Sequence, residues 1–332
     1  MEACLIVTYR CNAHCYMCNT WQNPSEPCEE FKPGLISKLP DNLSFINITG
    51  GEPFLRDDIE EIISAALPKT KRLVISTNGY FTDRIAHAAR RFGNQIGLRI
   101  SLEGLPVAND ELRGIEGGFD HGLRTLLMLH ALNLTDIGFG MTVSDRNADD
   151  MIELYRLANA MNLEFATAVT HNSYYFHKHD NVFSDPERVA DRFEDIAFEL
   201  LKTNRPKNWF RAYFNMGLAN KAGGGKRALP CDVGTDVFFL DPFGDIMPCN
   251  GSVAPMIMGN LNKHEFDDIW RSPKAEEIRG LVRECEKECW MIGSAAPAMK
   301  KHLWKPAWWV IRHKLRQWRN RGQKIRLDMI GD

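Results

Sequence analysis

The sequence predicts an α/β fold in which a partial (β/α)6 barrel occupies the first part of the chain. Six short runs rich in β-branched and other apolar residues are typical of buried strands, and they lie at 4–8, 45–49, 73–77, 97–102, 136–143 and 165–170. Amphipathic stretches separate these runs, as expected for a parallel sheet. Six strands are two fewer than a closed eight-stranded barrel has, so we expect a cleft along one side.

The stretches between the strands repeat apolar residues at helical spacing, which predicts helices at 57–67, 82–92, 119–132 and 147–161. Asn147 is placed to cap the last of these helices. Further along, two apolar runs flank Asp241-Pro242-Phe243-Gly244, which indicates a hairpin. A glycine-rich loop at 223–225 separates the two regions. The predicted segments are a barrel at 1–205, a connecting helix and glycine-rich linker at 206–230, a small cysteine-bearing domain at 231–295 and a basic tail at 300–332.

Composition and length indicate a globular protein of about two domains. The chain has 332 residues, of which 44% are hydrophobic and 25% charged, and this excludes a mainly disordered chain. It contains no run of about 18 apolar residues that would span a membrane. No secretory signal precedes the first strand, so we expect a cytoplasmic protein whose nine cysteines stay reduced and are available to metals.

Three cysteines, Cys11, Cys15 and Cys18, share the loop after the first strand. Three thiolates with this Cys-x3-Cys-x2-Cys spacing can ligate three irons of a four-iron cluster, and the fourth iron then has an open coordination site. From the spacing alone, the alternative is a zinc site with His14 as the fourth ligand.

The cysteine spacing after a first strand resembles that of the radical S-adenosylmethionine (SAM) enzymes. A second segment resembles the same superfamily, because the turn after strand two matches its Gly-Gly-Glu-Pro motif with Gly50, Gly51, Glu52 and Pro53. In that superfamily this segment contacts the amino group of SAM. The resemblance implies that the glycines admit the ammonium group closely and that Glu52 supplies negative charge.

A third segment, after strand four, resembles a Ser-x-Asp-Gly…Arg-Gly stretch of one large subgroup. By that resemblance Ser101 and Glu103 hold the ribose or polar edge of SAM, and Arg113 pairs with its carboxylate. The remaining SAM contacts that the resemblance implies are Met17, Thr77, Asn78, Thr142 and Val143. Met17 departs from the family, which often has an aromatic residue before the third cysteine.

The later cysteines form a second set, Cys231, Cys249, Cys285 and Cys289. Four thiolates without a nearby histidine suit a fully ligated site, either a second four-iron cluster or a structural zinc. The pattern resembles the auxiliary-cluster domain called SPASM, and more closely its shortened Twitch form with a single cluster. Asn250 stands where the sulfatase-maturing relatives carry an Asp that acts as a base, and an amide cannot take a proton.

The resemblance implies a TIM-like partial barrel with an auxiliary-cluster domain, and an enzyme of oxidoreductase or transferase type. It implies that SAM is cleaved reductively at a 4Fe-4S cluster and that the 5′-deoxyadenosyl radical abstracts hydrogen from an unactivated carbon. The expected electron donor is a reductant such as ferredoxin or flavodoxin. At the barrel mouth, Tyr174 and Tyr175 are candidates to donate a hydrogen atom or accept a proton, or else they pack the domain junction.

The tail is basic, since 300–332 holds ten Lys and Arg against two Asp, whereas the rest of the chain is acidic. Apolar residues at 304, 308, 311, 315 and 318 form a stripe, and Gly322 marks a helix stop. Cationic residues are expected opposite the stripe: Lys305, Arg312, Arg316 and Arg319. This pattern favours an amphipathic helix that contacts a membrane surface through 300–326. The alternatives are docking on the protein's own body and, with little support from the acidic body, nucleic-acid binding.

The tail favours a membrane-associated substrate such as a lipid or lipid-linked sugar, and a peripheral location at the inner face of the membrane. The alternative substrates are a ribosomal peptide, matured by dehydrogenation or crosslinking, and a small metabolite. Because strand one begins at the first residues, we expect no leader-binding domain ahead of it, although a separate partner can supply one. A further alternative is a non-enzymatic, membrane-attached iron-sulfur redox sensor.

Overall fold

The computed structural model describes residues 1–320, 323 and 326–329, and a mixed sheet lies at its centre. Its strands are β1 (Glu2–Ile6), β2 (Phe45–Thr49), β3 (Leu73–Thr77), β4 (Ile96–Ser101), β5 (Ile137–Val143), β6 (Glu164–Val169), β7 (Val237–Leu240), β8 (Asp245–Met247) and β9 (Gly259–Asn260). Their order in the sheet is β6-β5-β4-β3-β2-β1-β7-β8-β9. Strands β1 to β6 are parallel, which confirms the predicted partial barrel.

The helices cover the outside of this sheet and continue into the second half of the chain. They are α1 (Ile59–Ala66), α2 (Thr82–Phe92), α3 (Pro106–Arg113), α4 (Gly118–Ala131), α5 (Met151–Ala160), α6 (Pro186–Lys202), α7 (Pro206–Ala222), α8 (Phe266–Trp270), α9 (Pro273–Arg283), α10 (Ile292–Lys301) and α11 (Trp304–Arg319). The sequence did not predict α3, because its polar residues show no clear apolar stripe.

Strand β1 lies in the middle of the sheet, and its alternating side chains serve two cores. Leu5 lies between Ile48 of β2 and Leu240 of β7, and it belongs to the main hydrophobic core. Ile6 points to the other face, where it joins a smaller cluster that includes Tyr175. Because β1 to β6 are parallel, their carboxyl ends lie at one edge of the sheet. Barrels of this kind carry their chemistry at that edge.

The C-terminal part extends the barrel sheet directly. Strand β7 pairs in parallel with β1, and β7 and β8 form the predicted antiparallel hairpin. The Asp241 carboxylate shapes its turn by accepting hydrogen bonds from the amides of Phe243 and Asp245, at 2.9 and 2.8 Å. Gly244 completes the turn with a φ of 89°, a conformation that favours glycine.

Helix α7, which the sequence placed in a connecting segment, is largely buried and packs against α6. The indole Nε1 of Trp290 donates to the carbonyl oxygen of Phe214 at 2.9 Å. A Cβ atom at Gly217 would lie only 2.1 Å from the same indole ring. Trp290 therefore packs the auxiliary-cluster segment against α7. Position 217 has room only for glycine.

Helix α11 packs against α6 and α7 with the face that contains Trp309 and His313. The predicted apolar stripe is on the other face and is exposed, so the alternative in which it docks on the protein's own body is wrong. At about 100° per residue, the cationic residues lie on a flank of the stripe and not opposite it. None of the helices among the described residues has the length and hydropathy of a membrane-spanning segment. The predicted stop at position 322 lies outside the described residues.

Candidate active site

The three cysteines of the first loop follow the carboxyl end of β1. Burial, with a smaller contribution from the neighbouring thiol, raises the pKa of Cys11 to about 12 and that of Cys15 to about 11. Burial also raises the pKa of Cys18, whose charge in turn acts on Cys15. Each of these thiols is thus near enough to another one to affect its ionisation. Because metal ligation requires thiolates, binding of iron here would release protons.

Backbone amides point at two of these sulfurs. The amide of Ala13 donates to Cys11 Sγ at 3.4 Å and that of Thr20 donates to Cys18 Sγ at 3.4 Å. Hydrogen bonds of this kind stabilise thiolates and tune the potential of iron-sulfur clusters, so the loop fits that cofactor. His14 is exposed and its ring packs against Trp21, with centroids 4.4 Å apart, which does not favour the zinc alternative.

Within the described part of the chain, no three His, Cys, Asp or Glu side chains converge on a single-ion site. A lone zinc ion needs its sulfur ligands within about 2.3 Å of one point.

A buried carboxylate, Glu30, fixes the start of the cysteine loop. It accepts hydrogen bonds from the hydroxyls of Thr8 and Ser25 and from Arg10, whose Nη2 is 2.9 Å away. Burial alone would raise the pKa of Glu30, but the hydrogen bonds from Arg10, Thr8 and Ser25 outweigh it and the pKa is lowered. No sequence motif marks Glu30, because two of its three partners, Thr8 and Arg10, are 22 and 20 residues away along the chain.

The Gly-Gly-Glu-Pro segment docks on the same loop. The amide of Gly51 donates to the carbonyl oxygen of Thr8 at 2.7 Å, and that of Glu52 donates to the carbonyl oxygen of Arg10 at 2.8 Å. A Cβ atom at Gly51 would lie 2.2 Å from the Arg10 oxygen. The glycine is therefore required by the cysteine loop itself, whereas the sequence attributed it to close approach of a ligand. Pro53 is buried and begins a short turn.

Glu52 is fully buried and joins the ends of β2 and β3. It accepts from the amides of Phe54 and Asn78 and from the Thr77 hydroxyl, at 3.0, 2.7 and 2.7 Å. Burial raises its pKa. Its carboxylate thus orders the predicted Thr77 and Asn78. Asn78 in turn donates to Asn12 of the cysteine loop at 2.7 Å.

Glu103 and Arg113 form a buried ion pair with 2.8 Å between Oε1 and Nη1. The other Glu103 oxygen accepts from the amide of Thr142 at 2.6 Å. Burial would lower the pKa of Arg113, but the charges of Cys15, Glu103 and other neighbours outweigh it and raise that pKa. Glu103, expected to hold the ribose, is thus engaged with Arg113 and β5. Ser101 is half-buried at the end of β4, and Val143 is buried at the end of β5.

Two of the buried polar atoms that lack a hydrogen-bond partner among the described residues flank the cysteines: Arg113 Nε and Asn12 Nδ2. Buried donors are normally paired, so these two indicate a site for an acceptor. The SAM carboxylate has the matching chemistry. The residues present therefore fit SAM bound beside the first cysteine loop.

Met17 is buried, and its carbonyl oxygen accepts from Asn181 Nδ2 at 3.1 Å. The neighbouring Tyr16 ring lies between two cations, with 3.7 Å to the Arg146 guanidinium and 5.1 Å to the Lys178 ammonium. The Met17 carbonyl and the Tyr16 ring therefore link the cysteine loop to the segments after β5 and β6.

The two tyrosines predicted at the barrel mouth have different positions. Tyr175 is buried, and its hydroxyl donates to the carbonyl oxygen of Gly50 at 2.8 Å. Its ring packs near Tyr9 with 6.0 Å between centroids, and burial raises its pKa well above the ordinary value. Tyr175 therefore packs the junction and positions the Gly-Gly-Glu-Pro segment, which argues against direct contact with substrate. Tyr174 is half-buried, and its amide donates to the carbonyl oxygen of Ser252 at 2.8 Å.

A histidine, His171, follows the end of β6 at the barrel mouth. Burial lowers the pKa of His171 to about 4, so the imidazole is neutral near pH 7. Among the residues that the structure describes, its buried Nε2 has no hydrogen-bond partner. The same holds for Oδ1 of Asn181, whose Nδ2 donates to the His171 carbonyl at 3.1 Å. The two atoms offer unfilled hydrogen-bonding positions beside the barrel mouth.

The second cysteine set also comes together. Burial, together with the charges of Cys289, Cys231 and Cys285, raises the pKa of Cys249 to about 12. The amide of Gly251 donates to Cys249 Sγ at 3.1 Å, as amides do in the first loop. Four neighbouring thiols with a directed amide fit a fully ligated iron-sulfur cluster.

Lys287, between the last two of these cysteines, links the set to the barrel. Its ammonium donates to the carbonyl oxygens of Asn172 and Gly251 at 2.9 and 2.7 Å. The segment after β6 and the segment after Cys249 therefore form one continuous wall.

Comparison with known families agrees with this geometry. The Radical SAM superfamily model matches residues 5–158, and the model of the SPASM iron-sulfur cluster-binding domain matches residues 231–291. The chain belongs to the radical SAM superfamily. It is a radical SAM enzyme with a SPASM domain, and its cofactors are SAM, a SAM-binding 4Fe-4S cluster and an auxiliary 4Fe-4S cluster. The alternative of a non-enzymatic redox sensor is therefore wrong.

Two curated relatives match most of the chain. An AdoMet-dependent heme synthase from Methanosarcina barkeri is 27% identical over 88% of this chain and 90% of its own. The mycofactocin maturase MftC from Mycobacterium tuberculosis is 24% identical over 80% of this chain and 69% of its own. Among solved structures, anSMEcpe with bound AdoMet and Cp18Cys peptide has a TM-score of 0.61 at 14% identity, covering 87% of this chain and 85% of that one. At this identity the likeness supports the fold alone.

Proposed function

We propose that this radical SAM enzyme oxidises a peptide or a small metabolite at the mouth of its partial barrel. In this proposal Cys11, Cys15 and Cys18 ligate the SAM-binding cluster, and a second ligand set holds the auxiliary cluster: Cys231, Cys249, Cys285 and Cys289. Bound there, the cluster and SAM supply the 5′-deoxyadenosyl radical that abstracts a hydrogen atom from an unactivated carbon. A ferredoxin or flavodoxin is the proposed reductant.

Arg113 and Asn12 are the side chains we assign to SAM itself. Arg113 Nε has no partner in the described part of the chain, while Glu103 holds Nη1, so the guanidinium is oriented before the ligand arrives. A guanidinium pairs well with a carboxylate because it donates two parallel hydrogen bonds. Asn12 presents a second buried donor on the cysteine loop.

The continuous wall between the barrel and the SPASM segment is the observation that carries the proposed oxidation. Lys287 joins the segment after β6 to the segment after Cys249, and the amide of Tyr174 donates to Ser252 of the latter. The auxiliary cluster that the second cysteine set would hold would supply an electron acceptor, which makes a net oxidation feasible. His171 and Asn181 supply the unfilled hydrogen-bonding positions that we assign to the substrate.

The names of the relatives favour a peptide or small molecule over the lipid that the basic tail suggested. One relative is a heme synthase and the other a maturase. Neither name refers to a lipid or a lipid-linked sugar. We therefore place the peptide or metabolite first and keep the tail as a separate question of location.

The test is formation of 5′-deoxyadenosine by the reconstituted enzyme, reduced with flavodoxin under anaerobic conditions. Soluble peptide and metabolite fractions are compared with a lipid extract, and Cys15→Ala gives the blank. We expect a soluble fraction to stimulate turnover and to yield a product that has lost two hydrogen atoms. Stimulation by the lipid extract alone would contradict the proposed substrate class.

The auxiliary cluster is tested with Cys249→Ala, and Cys28→Ala is the matched control because Cys28 is exposed and outside both ligand sets. We expect Cys249→Ala to lose the oxidised product, while Cys28→Ala behaves as wild type. Full oxidation by Cys249→Ala would show that the electron leaves by another route.

A further inference from the structure

Helix α11 presents two faces to different surroundings. Its inner face is buried on α6 and α7. Its outer face carries five large apolar side chains, which we call the outer stripe: Trp304, Trp308, Ile311, Leu315 and Trp318. Each of these residues is between 51% and 78% exposed. Contiguous apolar patches of this kind are uncommon on soluble proteins unless something covers them.

The helix is fixed so that the outer stripe cannot turn inward. Trp309 is fully buried, and its Nε1 donates to the carbonyl oxygen of Asp328 at 2.7 Å. Lys314 donates to the carbonyl oxygen of Leu201 on α6 at 2.9 Å, and Gln317 donates to that of Phe198 at 3.3 Å. The outer stripe is therefore a permanent feature of the surface.

The charges on α11 show what kind of surface fits the outer stripe. Lys305, Arg312, Arg316 and Arg319 lie on one flank of it, at about 60° to 120° around the helix from Trp304. The helix contains no acidic residue. Arg312 and Arg316 reach Asp328 at 3.2 and 2.7 Å, and this one carboxylate leaves the flank strongly cationic. Tryptophan beside lysine and arginine is the composition of helices that lie in the headgroup region of a bilayer.

We propose that α11 docks the enzyme onto an anionic lipid bilayer, with the outer stripe inserted at the headgroup boundary and the cationic flank on the lipid phosphates. The inner face would hold the barrel and the SPASM domain against the membrane. The proposal does not depend on the substrate class. A second copy of α11 fits less well, because pairing two such helices brings cationic flanks together without a compensating acid.

The test uses the full-length reconstituted enzyme and flotation with phosphatidylcholine vesicles, with and without phosphatidylglycerol. We expect the enzyme to float with the phosphatidylglycerol vesicles and to dissociate as salt is raised. Brominated lipid should quench tryptophan fluorescence of the bound enzyme. The double variant Trp308→Ser with Trp318→Ser should remain unbound. Leu127→Ser is the matched control, because Leu127 is 53% exposed on the outer side of α4 and should not matter.

A second double variant, Lys305→Gln with Arg319→Gln, tests the charges. Each cation near an anionic surface changes partitioning by about fivefold, so we expect binding to fall on the order of 25-fold. Circular dichroism and unchanged iron content establish that each variant is folded.

Three results would overturn the proposal. The first is no flotation with either vesicle, and the second is equal flotation of the wild type and the Trp308→Ser, Trp318→Ser double variant. The third is self-association of the wild type that this double variant abolishes. The last result would mean that a second copy covers the outer stripe. Binding to an acidic protein that depends on the outer stripe, without binding to vesicles, would mean that a protein partner covers the outer stripe.

Discussion

The hydroxyl of Tyr175 donates a hydrogen bond to the carbonyl oxygen of Gly50 at 2.8 Å, across 125 residues of sequence. This contact connects the segment after β6 to the Gly-Gly-Glu-Pro turn. That turn also supports the cysteine loop, because the amide of Gly51 donates to the carbonyl oxygen of Thr8. The three segments around the SAM-binding site therefore support one another.

Removing that hydroxyl tests whether Tyr175 acts through Gly50. Tyr175→Phe keeps the buried ring and leaves the Gly50 carbonyl without its donor, so we expect SAM affinity to fall by about fivefold, the value of one neutral hydrogen bond. The measurement is SAM titration of the reduced cluster by electron paramagnetic resonance. Tyr155→Phe is the control, because Tyr155 lines a pocket with Glu164 at the amino-terminal end of β6. A loss of turnover with unchanged SAM affinity would instead indicate a direct role in chemistry.

Arg113→Lys tests the residue assigned to the SAM carboxylate. Lysine keeps the charge but cannot donate in parallel from a planar group, so we expect SAM affinity to fall by about 10-fold to 100-fold. Arg99→Lys is a matched control, because Arg99 also pairs with a carboxylate, that of Asp136, at the opposite edge of the sheet. Equal SAM affinity in the Arg113 variant and wild type would remove Arg113 from the binding site.

Sequence reasoning succeeded where the signal is local. The spacing of the first three cysteines, the six strand segments of the barrel and the hairpin turn at 241–244 each depend on a few consecutive residues. It failed where partners come from distant segments. Glu30 lies in a loop with no motif, and Asn147, predicted as a helix cap, instead donates to the carbonyl oxygens of Glu103 and Thr142. Only the folded chain brings such groups together.

The tail shows a similar division between pattern and packing. The apolar spacing correctly identified a stripe that includes Trp308, but α11 has a second apolar face with Trp309 and Val310. Hydrophobic periodicity cannot tell which of two such faces meets the protein body. Burial of the Trp309 face on α6 and α7 decides it.

Two glycines allow a sharp test of the cysteine loop. A methyl group at Gly51 would overlap the carbonyl oxygen of Arg10, whereas no atom of the described residues lies within 4 Å of the same position at Gly34. We expect Gly51→Ala to lower the free energy of unfolding by about 1–3 kcal/mol and to reduce iron incorporation. Gly34→Ala should be close to neutral in both. Melting temperature and iron content of the two variants measure the difference, and identical behaviour would show that the loop tolerates displacement.

The imidazole of His171, whose Nε2 is buried, makes the stability of the fold depend on pH in a defined direction. Its pKa is about 4 in the folded protein and about 6.5 when exposed, so the unfolded chain binds the additional proton between these values. Protonation therefore favours unfolding, and the contribution of neutral His171 is fully present above pH 6.5 and is lost as the pH falls toward 4. We expect His171→Gln to lose less stability than wild type between pH 7 and pH 5 in urea denaturation. His130→Gln, at an exposed position, is the control and should follow the wild type. If His171→Gln keeps the wild-type pH dependence, the His171 imidazole of the wild type is not buried in the neutral form. In that case its Nε2 is not an open position for the substrate.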